Sequence, residues 1–216
     1  GETAPVTVPA VNVYPGLQAW ELIGEEDSPE ARMIGTLELG ETLTAFPEED
    51  LVQPEGFGVR VQRLLREDGE EIWSNHAYQI EGARTGVIIR EDFVYTGPRI
   101  TQIDENLRIP RTQIVAVVED ESTEDFYRIA WNDFRSGGSF GTLRTSDYVE
   151  REIVSFFPAD LTVVRILNAA EELTDTEAKM VLLRNALEQP GSELLDIVRA
   201  ELDRLEAMDD APGGGE

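Results

Sequence analysis

The chain has 216 residues, 41% of them hydrophobic, with no cysteine and a formal net charge of −26. The lack of cysteine excludes disulfides, thiolate metal sites and cysteine nucleophiles, and no apolar run approaches the roughly 18–20 residues of a membrane helix, so no membrane insertion is expected. Lys179 is the single lysine beside seventeen arginines; so negative a field repels nucleic acid and anionic lipid, and favours basic partners, cations or simple solubility.

Residues 1–10, GETAPVTVPA, read as an extended leader. They start with Gly, as a trimmed terminus does, which leads to the expectation of an exported protein, periplasmic or at the cell surface, with its signal peptide removed; a cytosolic fragment reads the same way. Residues 11–80 are strand-like. VNVYPG alternates apolar residues before a Pro-Gly turn. ARMIGTLELGETLTAF alternates Ile34, Leu37, Leu39, Leu43 and Phe46 around Gly35 and Gly40, and GFGVRVQRL alternates Phe57, Val59 and Val61. Glu67-Asp68-Gly69-Glu70 is a hairpin turn that leads into Ile72-Trp73. The acidic segments 25–30 and 47–55, both with proline, read as loops, and EGARTG (81–86) as a connector.

A second strand-rich block, 87–150, runs through VIIREDFVYTG, TQIVAVVED, DFYRIAW and SFGTLRTSDYV. Short strands at this spacing predict small barrels, not βαβ units. Over 158–208 the apolar period becomes helical, with Leu161, Val164, Leu167 and Ala170 on one stripe. Thr174 and Glu177 have capping-box spacing for a second helix, which Pro190-Gly191 stops. Ser192 caps a third, whose apolar face carries Leu194, Leu195, Ile197, Val198, Leu202 and Leu205. Residues 209–216, DDAPGGGE, read as a disordered tail. Three short helices make a marginal core alone, so they are expected to pack on the β region or on another subunit, including a homo-oligomer formed through them.

Catalytic motifs are weak. Gly137-Gly138-Ser139-Phe140-Gly141 fits G-x-S-x-G, but a nucleophile elbow needs a helix after the serine, and here a strand comes next. The one histidine, His76, lies upstream of Ser139 and cannot alone support a histidine metal site. The acidic run 119–125 lacks the spacing and central glycine of a calcium loop. No two of the 44 acids are singled out as a glycosidase pair. The expectation is a non-enzyme with no cofactor and no metal.

Ile34-Gly35-Thr36-Leu37-Glu38-Leu39-Gly40, then Gly58-Val59-Arg60-Val61, then Trp73 to Tyr78 followed by Ile80, stand in the order of a bacterial Src-homology-3-type (SH3-like) domain, and residues 11–150 resemble a tandem of that family. In the second copy Ile114-Val115-Ala116-Val117, Phe126-Tyr127-Arg128-Ile129 and Leu143 to Val149 take the same parts; the glycine-leucine signature is replaced by Leu107-Arg108-Ile109-Pro110. The resemblance implies a mainly β chain with a C-terminal α region: two small SH3-like barrels, 11–80 and 87–150, followed by a helical bundle. It implies a binding or scaffold module of the bacterial cell envelope that recognises a peptide, a peptidoglycan stem peptide or another envelope protein. The alternatives are an assembly protein without a wall ligand and an enzyme whose site is built from carboxylates and arginines. In such barrels the closing-turn tyrosine and nearby aromatics line a shallow groove. The implied candidates are Tyr14, Trp20, Trp73 and Tyr78 in the first copy, and Tyr95, Tyr127, Trp131 and Tyr148 in the second. Tyr78 and Tyr148 are expected to hold equivalent places.

Overall fold

Alternating apolar residues build strands from Val8 to Ser155, and the helical period takes over at Pro158. The computed structural model describes residues 6–25, 28–46 and 51–209. They form two seven-stranded antiparallel sheets followed by three helices. The first sheet comprises β1 (Val8–Asn12), β2 (Leu17–Glu25), β3 (Ser28–Leu37), β4 (Thr42–Ala45), β5 (Val61–Leu65), β6 (Glu71–Asn75) and β7 (Gln79–Glu81), in the order β3-β2-β6-β5-β4-β1-β7. The second comprises β8 (Ala83–Ile88), β9 (Asp92–Tyr95), β10 (Ile103–Ile109), β11 (Ile114–Val118), β12 (Phe126–Asp133), β13 (Thr142–Glu150) and β14 (Val154–Ser155). Its order, β10-β9-β13-β12-β11-β8-β14, is the first order with seven added to every number. In both, one turn of 3₁₀ helix, His76–Tyr78 or Arg151–Ile153, carries the chain from the sixth strand to the seventh.

Several boundaries differ from the sequence expectation. Residues 83–86 are not a connector but the start of β8, so Gly82 alone separates the sheets. β8 is buried at Ala83 and then continuously from Gly86 to Ile88, with Arg84 exposed and Thr85 half-buried between them, so no clean alternation marks the strand. The second unit runs past 150 to Ser155. Segment 25–30 is not a loop throughout, because Glu25 and Ser28 are paired strand ends and residues 26–27 lie outside the described residues. Of the leader, Val8–Ala10 are in β1, while 1–5 lie outside the described residues, as do 47–50 of the second acidic segment. Asp209 ends the last helix, and 210–216, the rest of the expected tail, also lie outside them.

Each sheet encloses its own core: Leu17, Leu37, Leu43, Leu64 and Ile72 in the first, and Ile88, Ile109, Val117, Ile129 and Trp131 in the second. Burying each such side chain stabilises by about 1.5–3 kcal/mol. The sheets meet back to back through Val11 and Val13 of the first and Ala83, Ala116 and Ala130 of the second. Methyl-sized side chains let the backbones approach closely. At one end of this seam the Thr85 hydroxyl donates to the Gly40 carbonyl at 2.7 Å and lies 3.1 Å from the Thr42 hydroxyl.

Helices α1 (Pro158–Glu172), α2 (Thr176–Leu187) and α3 (Leu195–Asp209) share one core with Val87 and Ile114 of the second sheet, and Leu39 of the first joins its edge. The helical stripes are thus covered within the chain. The α2 cap is Asp175, not Thr174: its carboxylate accepts from the Glu177 amide at 3.0 Å. Asp160, buried in the first turn of α1, ties the bundle to β14. It accepts from the Ser155 hydroxyl, the Ser192 hydroxyl (2.7 Å) and the Glu193 amide (2.8 Å). Arg111 grips Asp196 of α3 with both guanidinium arms at 2.7 Å, holding that carboxylate below its usual range.

Gly40 has φ +74°, and a Cβ there would stand 2.6 Å from Ile114 Cγ2 and 2.9 Å from Thr85 Cγ2. Gly40→Ala is expected to lower stability by about 2 kcal/mol, roughly 4–8 °C in Tm. Gly35→Ala, where a Cβ meets nothing within 4 Å, should shift Tm far less. Thermal unfolding by circular dichroism checks both, and equal shifts would mean that the seam tolerates a Cβ.

Candidate functional site

The closing turn of the first unit is set by Asn75. Its side-chain oxygen accepts from the Ala77 amide at 3.0 Å and winds His76–Tyr78 into the 3₁₀ turn. The Tyr78 carbonyl then accepts from the Val13 amide at 3.1 Å, bringing the turn beside the end of β1. Asn12, fully buried, fixes the path of the chain as it leaves β1. It donates to the carbonyls of Tyr14 (2.7 Å) and Glu38 (2.8 Å) and accepts from the Tyr14 amide (3.2 Å). Tyr14 and Tyr78 therefore meet, with ring centroids 4.7 Å apart and tilted by 48°.

The second sheet completes this cluster. Phe134 lies edge-on to Tyr14 at 5.9 Å and remains 42% exposed. Its position is set by Asp133, whose buried carboxylate accepts from the Arg135 amide and side chain at 3.1 Å and from the Ser136 hydroxyl at 3.2 Å. These bonds curl the chain directly after β12 and turn Phe134 toward the first unit. Phe140, 70% exposed, belongs to the same glycine-rich loop. Sequence reasoning missed both phenylalanines; the signal was an aspartate next to an aromatic at a strand end. Ser139 of the G-x-S-x-G pattern sits in this loop in a single 3₁₀ turn that leads into β13, with no helix behind it.

The other candidates fall elsewhere. Trp20 and Trp73 are cross-strand partners on the outer face of the first sheet, and Tyr95 and Tyr148 on that of the second. Arg63 pairs with Trp73, and Arg128 with Tyr148. Tyr148 is thus the counterpart of Trp73. The residue matching Tyr78 is Ile153, which is fully buried, so the expected equivalence of Tyr78 and Tyr148 is corrected. The misalignment came from reading Leu143 to Tyr148 as Trp73 to Tyr78, when β13 is four residues longer than β6.

Trp131 and Tyr127 are core residues. Trp131 is fully buried, and its indole N–H donates to Asp147 at 2.9 Å. Arg144 closes on the same carboxylate, and that bond raises the guanidinium's pKa. Tyr127 packs edge-on against Phe156 at 5.4 Å, under the Arg151 guanidinium at 4.2 Å. Tyr95 is buried as well. Burial first, then its hydrogen bond to Glu150 at 2.9 Å, push its phenol up to about 12.

Two sizeable surface depressions, of about 900 and 650 Å³, contain none of the eight candidate aromatics. Rings placed outside such depressions suit a macromolecular or extended ligand better than an enclosed small molecule. Among the described residues no group of three or more His, Asp or Glu side chains could hold a metal ion. No helix among them is long and apolar enough to cross a membrane.

No protein-family model matches the chain, and no curated protein matches its sequence. Among solved structures it is similar to NlpC1 from Trichomonas vaginalis at 10% identity, over 73% of this chain and 48% of that one, with a TM-score of 0.24. It is similar to NlpC2 from the same organism at 11% identity, over 78% and 57%, also at 0.24. The chain spans about half the length of these structures, and at such TM-scores the likeness carries no argument about fold or function.

An ordinary tyrosine titrates near 10, so the raised Tyr95 value makes its protonated phenol a source of stability that is present below pH ~10 and lost as pH rises toward ~12. Ultraviolet titration should show one late-ionising tyrosine that disappears in Tyr95→Phe. Asp147→Ala strands the buried Trp131 N–H and releases Arg144, and is expected to cost about 2–3 kcal/mol in chemical denaturation.

Proposed function

We propose that this chain is a non-enzymatic binding or scaffold protein of the bacterial cell envelope, built on two SH3-like barrels in tandem with a helical bundle behind them. The observation that carries the reading is the repeated strand order with a 3₁₀ turn before each last strand. Antiparallel strands in that order, with register shifts in β2, β10 and β12, suit a small barrel. The sequence resemblance, drawn from motif order alone, points the same way.

On this reading the binding surface is composite. The closing-turn tyrosine of the first unit, Tyr78, and its neighbour Tyr14 supply two rings, and Phe134 of the second unit supplies a third. Flat rings offer large contact area at small entropic cost. They suit a peptidic ligand: an extended segment of another envelope protein, or the stem peptide of the cell wall.

Co-sedimentation with purified sacculi at several salt concentrations tests the reading, with Tyr78→Ala and Phe134→Ala variants first checked for unchanged unfolding. Saturable binding, weakened about tenfold or more in either folded variant, is expected. Absence of binding at every salt would remove the wall ligand and leave an assembly role, to be sought by partner pull-down.

A further inference from the structure

The outer face of the first sheet carries a second aromatic surface, separate from the closing turn. Cross-strand register places Met33, Trp20, Trp73 and Arg63 in one row over β3, β2, β6 and β5. Phe57 stands edge-on to Trp20 at 5.1 Å, and Arg63 lies over the Phe46 ring at 4.1 Å. Met33, on the edge strand, is 58% exposed. Trp20 is buried beneath this row and Trp73 is half-buried, so the part open to a partner is the Met33 thioether at the edge and the outer side of the Trp73 indole, the kind of apolar surface that marks a contact site.

The second sheet supplies an internal comparison. Its equivalent row is Ile103, Tyr95, Tyr148 and Arg128. There the surface is closed on itself: the Tyr95 hydroxyl is bound by Glu150, Phe126 packs on its ring at 5.0 Å, and Arg128 is held by Glu121 and the Thr145 carbonyl. Both units share the backbone pattern, yet only the first fills it with tryptophans and leaves the edge side chain largely in water. The sheet itself therefore does not require the larger apolar surface.

Charge selects the occupant. Residues 6–81 contain sixteen carboxylates and four arginines. Three of the four already face carboxylates: Arg32 faces Glu21, Arg63 faces Glu71, and Arg66 faces Glu41 and Glu70. The acidic surplus of this stretch of chain repels a second copy, since the chain carries −26 overall. It attracts guanidinium and ammonium groups, which also stack on indole faces. We infer that the Met33–Trp73 surface, backed by the buried Trp20, is a docking surface for a basic segment of a partner protein, its arginines or lysines set against Trp73 and its interspersed apolar residues against Met33.

The test uses the full chain and a fluorescein-labelled synthetic peptide that alternates arginine with leucine. Its counterpart with glutamate for arginine is the control. Fluorescence anisotropy should report saturable binding of the basic peptide alone, weakening as salt rises. Met33→Ser and the Met33→Ser/Trp73→Ser double variant, which alter only the outer face, should bind at least about tenfold more weakly with unchanged circular dichroism. Tyr148→Ser and Tyr78→Ala should bind as wild type, which separates this surface from the second row and from the closing-turn site. Equal binding by the Met33→Ser/Trp73→Ser variant would reduce the effect to bulk charge and overturn the inference. No binding, equal binding of the acidic peptide, or a wild-type dimer in sedimentation that Met33→Ser dissolves would each overturn it too.

Discussion

Close approach of two sheet backs holds this molecule together. The approach exists because the facing positions on the second sheet are alanines, Ala83, Ala116 and Ala130, and because Gly40 has no side chain where the first sheet passes over Ile114 and Thr85. Larger residues there would push the sheets apart. That would break the Thr85 hydrogen bond to Gly40 and lift Leu39 from the helical core it helps to cover. Phe134 reaches Tyr14 only while the seam is closed. Packing thus decides whether the three-ring cluster exists at all.

The two units show how one backbone plan can be filled in different ways. In the second, polar groups are tied inward: Trp131 to Asp147, Tyr95 to Glu150, and Asp133 to its own loop. Such bonded networks specify geometry at little net gain in stability. In the first, the positions matching Tyr95 and Tyr148 carry Trp20, which is buried, and Trp73, which is half-buried, and the edge side chain Met33 is largely in water. The second unit behaves as a platform, joined to the helices through Arg111 to Asp196 and through Ser155 to Asp160.

Much of the architecture was legible because it depends on periodicity. The switch from a period of two to a period of 3.6 near residue 158 locates the helices, and Pro190-Gly191 and Ser192 mark their junction. The Asp68-Gly69 turn lies between β5 and β6 as expected. The failures depend on pairing, which no local pattern records. The start of β8, with Arg84 exposed and Thr85 half-buried, looked like a connector. The extra length of β13 shifted the second motif and joined Tyr148 to Tyr78 when its structural partner is Trp73. Trp131 and Tyr127 looked like ligand aromatics because composition cannot tell a buried ring from an exposed one. Phe134 went unread because its role comes from a contact across more than one hundred residues of chain.

Gly82 is the whole joint between β7 and β8. One residue spans about 3.5 Å at most, so the second unit begins before the first has room to turn away from it. Tandem modules on flexible tethers behave as beads that sample many separations, and their combined affinity depends on tether length. This pair is instead a caliper with a fixed gap. A ligand that touches both units is selected by its length as well as by its chemistry.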